Sequence, residues 1–189
     1  MDALTLLTAD HNRVRGLFKR FKDAHEAEDQ ETATLVATTI FDELDVHTTI
    51  EETVFYPAVT DVKDEVHELV VEGLEEHKVA KDLIAEAKAL SPEDEHWAAK
   101  VKVLIESVEH HAEEEEKELF PKVRSGLDAK KLDALGEALE AKKRELGAPT
   151  LADKIDLTKE ELSSLASEQE IPGRSKMSHE ELAATVAPG

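Results

Sequence analysis

The chain contains no cysteine, which excludes disulfides, zinc–thiolate sites, iron–sulfur clusters and cysteine nucleophiles. Any metal site must therefore be built from nitrogen and oxygen donors. Aromatic residues make up 4% of the 189 residues, with 7 glycines and 6 prolines. Ala, Glu, Lys and Leu dominate instead, and that mixture points to a soluble, mostly helical protein. No stretch approaches the roughly 20 apolar residues of a membrane-spanning helix. The N-terminus, MDALTLLTADHNR, has no basic region followed by an apolar block, so no signal peptide is expected and the cytoplasm is the default location. Basic residues are also scarce: 23 Lys and Arg face 44 Asp and Glu, a formal net charge of −21. That balance opposes a nucleic-acid surface or an anionic membrane, both of which need clustered cations. A negative field of this size favours solubility and draws in cations.

What is present is helical periodicity. Apolar spacing predicts helices over about Ala3 to Glu28, Glu31 to Tyr56, Asp61 to Leu90, Pro92 to Pro121 and Asp128 to Leu146. Pro57 is expected to end or kink the second, and Ser91-Pro92-Glu93 to open the fourth with Ser91 as cap. Leu7, His11, Val14, Phe18 and Phe21 form the stripe of the first helix. Leu44, His47, Ile50, Glu51 and Val54 mark that of the second. Val66, Val70, Leu74, His77 and Ile84 mark the third, and Leu104, Val108, His111, Glu115 and Leu119 the fourth. The expected fold is all-α: an up-down four-helix bundle with a fifth helix and a small C-terminal helix–loop–helix. Its divisions fall at 1–126, 127–148 and 149–189, with Gly147-Ala148-Pro149-Thr150 read as a linker. In the tail, Thr158 is read as one helix cap and Ser178 with Glu181 as a capping box.

The chain also repeats itself. HTTIEETVFYP begins at His47 and HAEEEEKELFP at His111, each reading H-x-x-x-E and reaching proline at the same offset. An earlier helix precedes each copy with one inward histidine, His11 and His77, so the bundle resembles a duplicated helix pair. Positions i and i+4 share a helix face, so His47 with Glu51, and His111 with Glu115, present an imidazole beside a carboxylate. On an apolar stripe an unpaired glutamate is costly, and two facing glutamates repel unless a cation separates them. A dimetal centre answers both problems, and helix bundles build such sites from inward-facing ligands. Imidazole with carboxylate suits iron and leaves manganese and zinc open. Taken singly, an H-x-x-x-E is more often a surface pair, and His11 or His77 a core histidine. The joint pattern carries the metal reading.

The remaining histidines look different. His110 should point about 100° away from His111, and His25, His67, His96 and His179 sit among charged residues. The run Glu113–Glu116 reads as a solvated acidic face, with Glu115 the exception. Tyr56 lies nine positions after His47, opposite it on a straight helix. It stands where Phe120 stands in the second copy. Packing at the bundle end, iron ligation and a hydrogen bond near the metal are all open for it.

Residues 8–123 resemble a hemerythrin-like (HHE cation-binding) domain, through Asp10-His11, His47–Glu51, Glu76-His77, His111–Glu115 and the trailing Phe-Tyr-Pro and Leu-Phe-Pro. The resemblance implies two iron ions in an oxo- or hydroxo-bridged non-haem centre, with the two glutamates as bridges. Oxygen-carrier hemerythrins add a second histidine one turn from the third-helix ligand. Here those positions are Gly73 and Lys81, so one iron is expected to be under-ligated. Reactivity with peroxide, oxygen or nitric oxide, including catalase-like turnover, is then favoured over reversible oxygen carriage. The alternative is a non-enzymatic iron or oxygen sensor that signals through the tail. The tail resembles a Rho-N or SAP-like motif that often contacts nucleic acid, but Lys159, Arg174 and Lys176 face seven acidic residues there. That balance does not favour a phosphate backbone, and a protein partner and simple stabilisation of the bundle are equally open.

Overall fold

A computed structural model describes residues 1–148, 159–169 and 171–186. The first helix, α1 (Ala3–Glu26), opens where the Asp2 carboxylate accepts the Thr5 N–H at 2.9 Å. Asp29 caps α2 (Gln30–Ile50) in the same way through Thr32. The next helix, α3 (Asp64–Lys88), has no side-chain cap but carries Asp64 and Glu65 in its first turn, where the helix dipole favours negative charge. The fourth, α4 (Glu95–Glu114), is capped by Asp94 and not by Ser91. The Ser91 hydroxyl is taken by the Glu93 side chain, which leaves Asp94 to meet the first free N–H. Asp128 caps α5 (Ala129–Glu145).

The prolines do not end their helices. After Ile50 the chain makes one wide turn, Glu51–Phe55, whose Tyr56 N–H bonds back to the Glu51 carbonyl, and helix continues over Tyr56–Val59. The second copy repeats this over Glu115–Leu119, with the Phe120 N–H on the Glu115 carbonyl, and continues over Phe120–Gly126. Each is an i to i+5 turn placed just before a proline. A proline ring collides with the carbonyl four residues back, and one extra residue in the turn removes that collision. Both wide turns begin on a glutamate of the repeated motif.

The four helices pack up-down, and their core is divided. One apolar half holds Phe18, Phe21, Ile40, Leu44, Ile84, Trp97 and Leu104, and the other Leu7, Ile50, Phe55, Val66, Leu119 and Phe120. Between them, in order along each helix, lie His11, His47, His77 and His111. Burying apolar surface at about 25 cal/mol per Å² holds both halves together, so the polar layer is clamped from both sides. Leu74, expected on the third stripe, is 42% exposed, and Gly73 occupies the inward position. The tail contains α6 (Lys159–Glu168) and α7 (His179–Thr185), with a core of Leu162, Ala166, Ile171, Leu182 and Val186. Ser178 and Glu181 form the expected capping box. The Thr158 cap lies outside the described residues. No helix among those described is long and apolar enough to cross a membrane.

The tail docks on α1 at Gly16. A Cβ there would come within 2.9 Å of the Gln169 carbonyl oxygen and 2.9 Å of Ile171 Cδ1. Gly16→Leu is therefore expected to leave the bundle folded while prising the tail away. Limited proteolysis should cut residues 159–186 about tenfold faster, as expected when a docked segment loses its contacts. Unchanged cutting would show that the tail is held elsewhere.

Candidate metal centre

Each long helix of the bundle supplies one imidazole, and α2 and α4 add a carboxylate one turn on. The ring atoms are oriented by acidic neighbours. The Nδ1–H of His11 donates to Glu116 Oε1 at 2.8 Å, that of His77 to Glu52 Oε1 at 3.0 Å, and that of His111 to Glu76 Oε2 at 2.7 Å. His47 Nδ1 faces Asp10 Oδ2 at 3.7 Å, too long for a hydrogen bond. With Nδ1 holding the proton, Nε2 offers a lone pair. All four Nε2 atoms point inward: His11 and His47 approach to 3.2 Å, and His77 and His111 to 3.1 Å.

Both inner glutamates lie among them. Glu51 Oε2 is 3.2 Å from His47 Nε2 and 3.3 Å from His77 Nε2. Glu115 Oε2 is 3.3 Å from His11 Nε2 and 3.9 Å from His111 Nε2. The six groups fall into two sets, His11, His47, Glu51 and Glu115, and then Glu51, His77 and His111. Both oxygens of Glu51 and Oε2 of Glu115 are buried without a hydrogen-bond partner. Lone pairs facing lone pairs with no donor between them are repulsive in a dry interior. A cation between them converts the repulsion into ligation, so the donor set fits metal.

Electrostatics agree. Burial, then the charge of Glu115, pushes the Glu51 carboxyl well above the usual carboxylate range. Burial works against Glu115 too, but the imidazoles of His11, His111 and His47 hold it below that range. Burial and the neighbouring rings of His111 and His47 drive His77 down to about 2, and burial lowers His47. These two rings are neutral at pH 7, as metal ligation requires.

Tyr56 is 2% exposed, and its hydroxyl donates to Glu115 Oε1 at 2.9 Å. Burial, then Glu115, raises its phenol well above the usual value. The wide turn explains its position. One inserted residue makes its nine-place offset from His47 behave as about eight, which returns it to roughly the same face. Sequence spacing alone could not supply that. The reading of Glu116 as solvated face is corrected, because it is half-buried and also grips Arg15 at 2.8 and 3.2 Å. Glu52 and Glu76 were likewise missed as ring-orienting groups. A signal for them existed: acidic residues precede His11 and His77 and follow Glu51 and Glu115 at equal offsets. His110 is exposed and lies against Glu114.

Fold and site together define a helical bundle with a buried histidine–carboxylate site for cations. The chain belongs to the hemerythrin HHE cation binding domain family, whose model matches residues 2–123. It is also similar to a protein of Nostoc sp. (strain PCC 7120 / SAG 25.82 / UTEX 2576) named DNA nickase, 26% identical over 146 residues, which cover 77% of this chain. The chain spans 40% of that relative's length. No solved structure matches it.

Because burial and Glu115 raise the proton affinity of Glu51, metal loading is expected to displace protons from the site. Apparent affinity should rise with pH as ligand protons are lost. Titration of metal into weakly buffered protein with a pH indicator reads this directly, and release of no proton would contradict it.

Proposed function

We propose that the bundle is a non-haem di-iron module in the cytoplasm that reacts with hydrogen peroxide, oxygen or nitric oxide. The observation that carries this reading is the unequal donor count: four protein groups converge on one position and three on the other. The two side chains one turn from His77 add nothing, since Gly73 has none and Lys81 is bound to both oxygens of Glu52. Iron, when bound, supplies one-electron redox chemistry and Lewis acidity.

In this reading Glu51 is shared by both positions and Glu115 faces Tyr56. Glu116, Glu52 and Glu76 hold three rings with Nε2 inward, and the two apolar halves of the core keep bulk water out. Tyr56 Oη keeps a proton beside the position with fewer donors. DNA cleavage gains no support from this chain's residues, whose charge of −21 repels a phosphate backbone. Iron analysis, the near-ultraviolet spectrum and oxygen evolution from peroxide form the test. His111→Ala should abolish both iron and turnover, and Tyr56→Phe should remove any visible phenolate-to-iron band. Full activity without iron, or less than about half an iron per chain, overturns the proposal.

A second reading, sensing through the tail, is favoured by one contact region. Glu116, hydrogen-bonded to His11, lines a cavity of 470 Å³ together with Met177, Glu181 and Thr185 of the tail. Chelation should then raise protease sensitivity of the tail, and no change would count against it.

A further inference from the structure

The carboxylates behind the four rings repeat with two-fold regularity, and the regularity fails at one point. Glu116 behind His11 is held by Arg15, Glu52 behind His77 by Lys81, and Asp10 beside His47 by Lys143. Each of these carboxylates has a cation of the protein on its outer side. Among the described residues no lysine or arginine pairs with Glu76, which bonds His111. The fifth helix supplies Lys143 to only one half of the duplicated pair.

What faces Glu76 instead is His110 with Glu114, one turn apart on α4, at 3.5 Å from Nε2 to Oε1. One ligand atom of each of Glu76, His110 and Glu114 lies within 4.8 Å of the other two. An imidazole and two carboxylates at that spacing can close on a divalent ion, with donor distances of about 2.0–2.2 Å. Two of the three, Glu76 and Glu114, line a small crevice together with Glu72, Gly73, His111 and Glu115. Glu115 is 3% exposed, and its Oε2 has no hydrogen-bond partner. Gly73 lets the Tyr56 hydroxyl and the His111 ring approach its backbone closely, because a Cβ there would meet Tyr56 Oη at 2.8 Å and His111 Cε1 at 3.4 Å. The crevice therefore links two carboxylates of the outer cluster to an unsatisfied buried carboxylate.

We infer that Glu76, His110 and Glu114 form an outer site for a divalent cation, the place where metal is captured before it passes inward to His111 and Glu115. Glu76 belongs to both places. The ion takes the position that Arg15, Lys81 and Lys143 fill behind the other rings. A chain of net charge −21 concentrates cations at its surface, and this is the point where that surface opens on the core. The inward step rests on the reading of the core as a metal centre. The outer site does not.

Metal-free full-length protein provides the test, with Mn²⁺ binding read by calorimetry and Fe²⁺ uptake followed anaerobically by stopped flow. Wild type should bind three ions per chain, one of them weaker and faster to exchange. His110→Ala/Glu114→Gln changes surface groups only, so the metal-free melting temperature should stay the same. This variant should lose the weak ion and fill the core on the order of tenfold more slowly, the low end of electrostatic capture effects. It should still reach the wild-type core count. An unchanged weak ion and an unchanged uptake rate overturn the inference. If neither protein fills its core, the di-iron reading fails, while loss of the weak Mn²⁺ in the variant still establishes the outer site.

Discussion

Lys143→Met is expected to destabilise the chain by about 3–5 kcal/mol, the usual consequence of removing one partner from a buried ion pair. Lys143 is 5% exposed and Asp10 6% exposed, and the ammonium donates to Asp10 Oδ1. Burial opposes the Asp10 charge, yet the carboxyl is held below the usual carboxylate range, first by Lys143 and then by His47 and Arg13. Arg13 also acts on Asp10 by its charge, but its ion pair is with Glu43. Without Lys143 the buried Asp10 carboxylate loses its hydrogen-bonded cation and keeps only the influence of His47 and Arg13. Chemical denaturation should show the loss, along with a fall of roughly 10 °C in melting temperature for a chain of this size. Asp10→Asn/Lys143→Met, which removes both charges, should recover most of it. A matched control is Lys78→Met. Its pair with Asp82 is 68% and 62% exposed, and such surface pairs contribute about 0–1 kcal/mol. Equal effects at the two lysines would refute the buried-pair account.

Nothing in the sequence separates Lys143 from its neighbours Lys142 and Arg144, and this marks where sequence reading runs out. Helices and site ligands repeat at intervals that one-dimensional spacing reveals. His11, His47, Glu51, His77, His111 and Glu115 could be grouped because two copies of one pattern support each other, and the structure brings all six together. Lys143 has no counterpart in the repeat, so its role emerges only when α5 packs on α1. Tyr56 stayed open between packing, ligation and a hydrogen bond near the metal for a different reason. The straight-helix rule of about 100° per residue holds only until the chain inserts a residue, and the wide turns at Glu51 and Glu115 do so. Proline was the visible cue for those turns, but it pointed equally to a helix end. Leu74 was misplaced because hydrophobicity outweighed phase: Gly73 carries no apolar side chain, yet it holds the inward position opposite Tyr56. Glu52 and Glu116 were hidden by composition, since an acidic chain makes any one glutamate look like surface.

Glu51→Gln is expected to make the metal-free protein more stable and the metal-treated protein less stable than wild type. The side chain is fully buried, beside Glu115, and neither of its oxygens has a hydrogen-bond partner. Its folded-state affinity for a proton is raised, first by burial and then by Glu115. Such a group favours the folded state below its unfolded value near 4.5, and that contribution is lost as pH rises towards its folded value. The metal-free wild type at pH 8 should therefore be less stable than the glutamine variant. Below pH 4.5 the two should converge, because both side chains are then neutral in either state. Cation reverses the order. Glu51 belongs to both donor sets, so the variant should neither load nor respond. Wild type should gain about 4 kcal/mol at a thousandfold excess over its dissociation constant. Denaturation curves of both proteins at pH 4.5 and pH 8, with and without Fe²⁺ under anaerobic conditions, separate the terms. A glutamine variant less stable than metal-free wild type at pH 8 would mean that Glu51 supports the fold without a cation. The polar layer would then be structural in its own right.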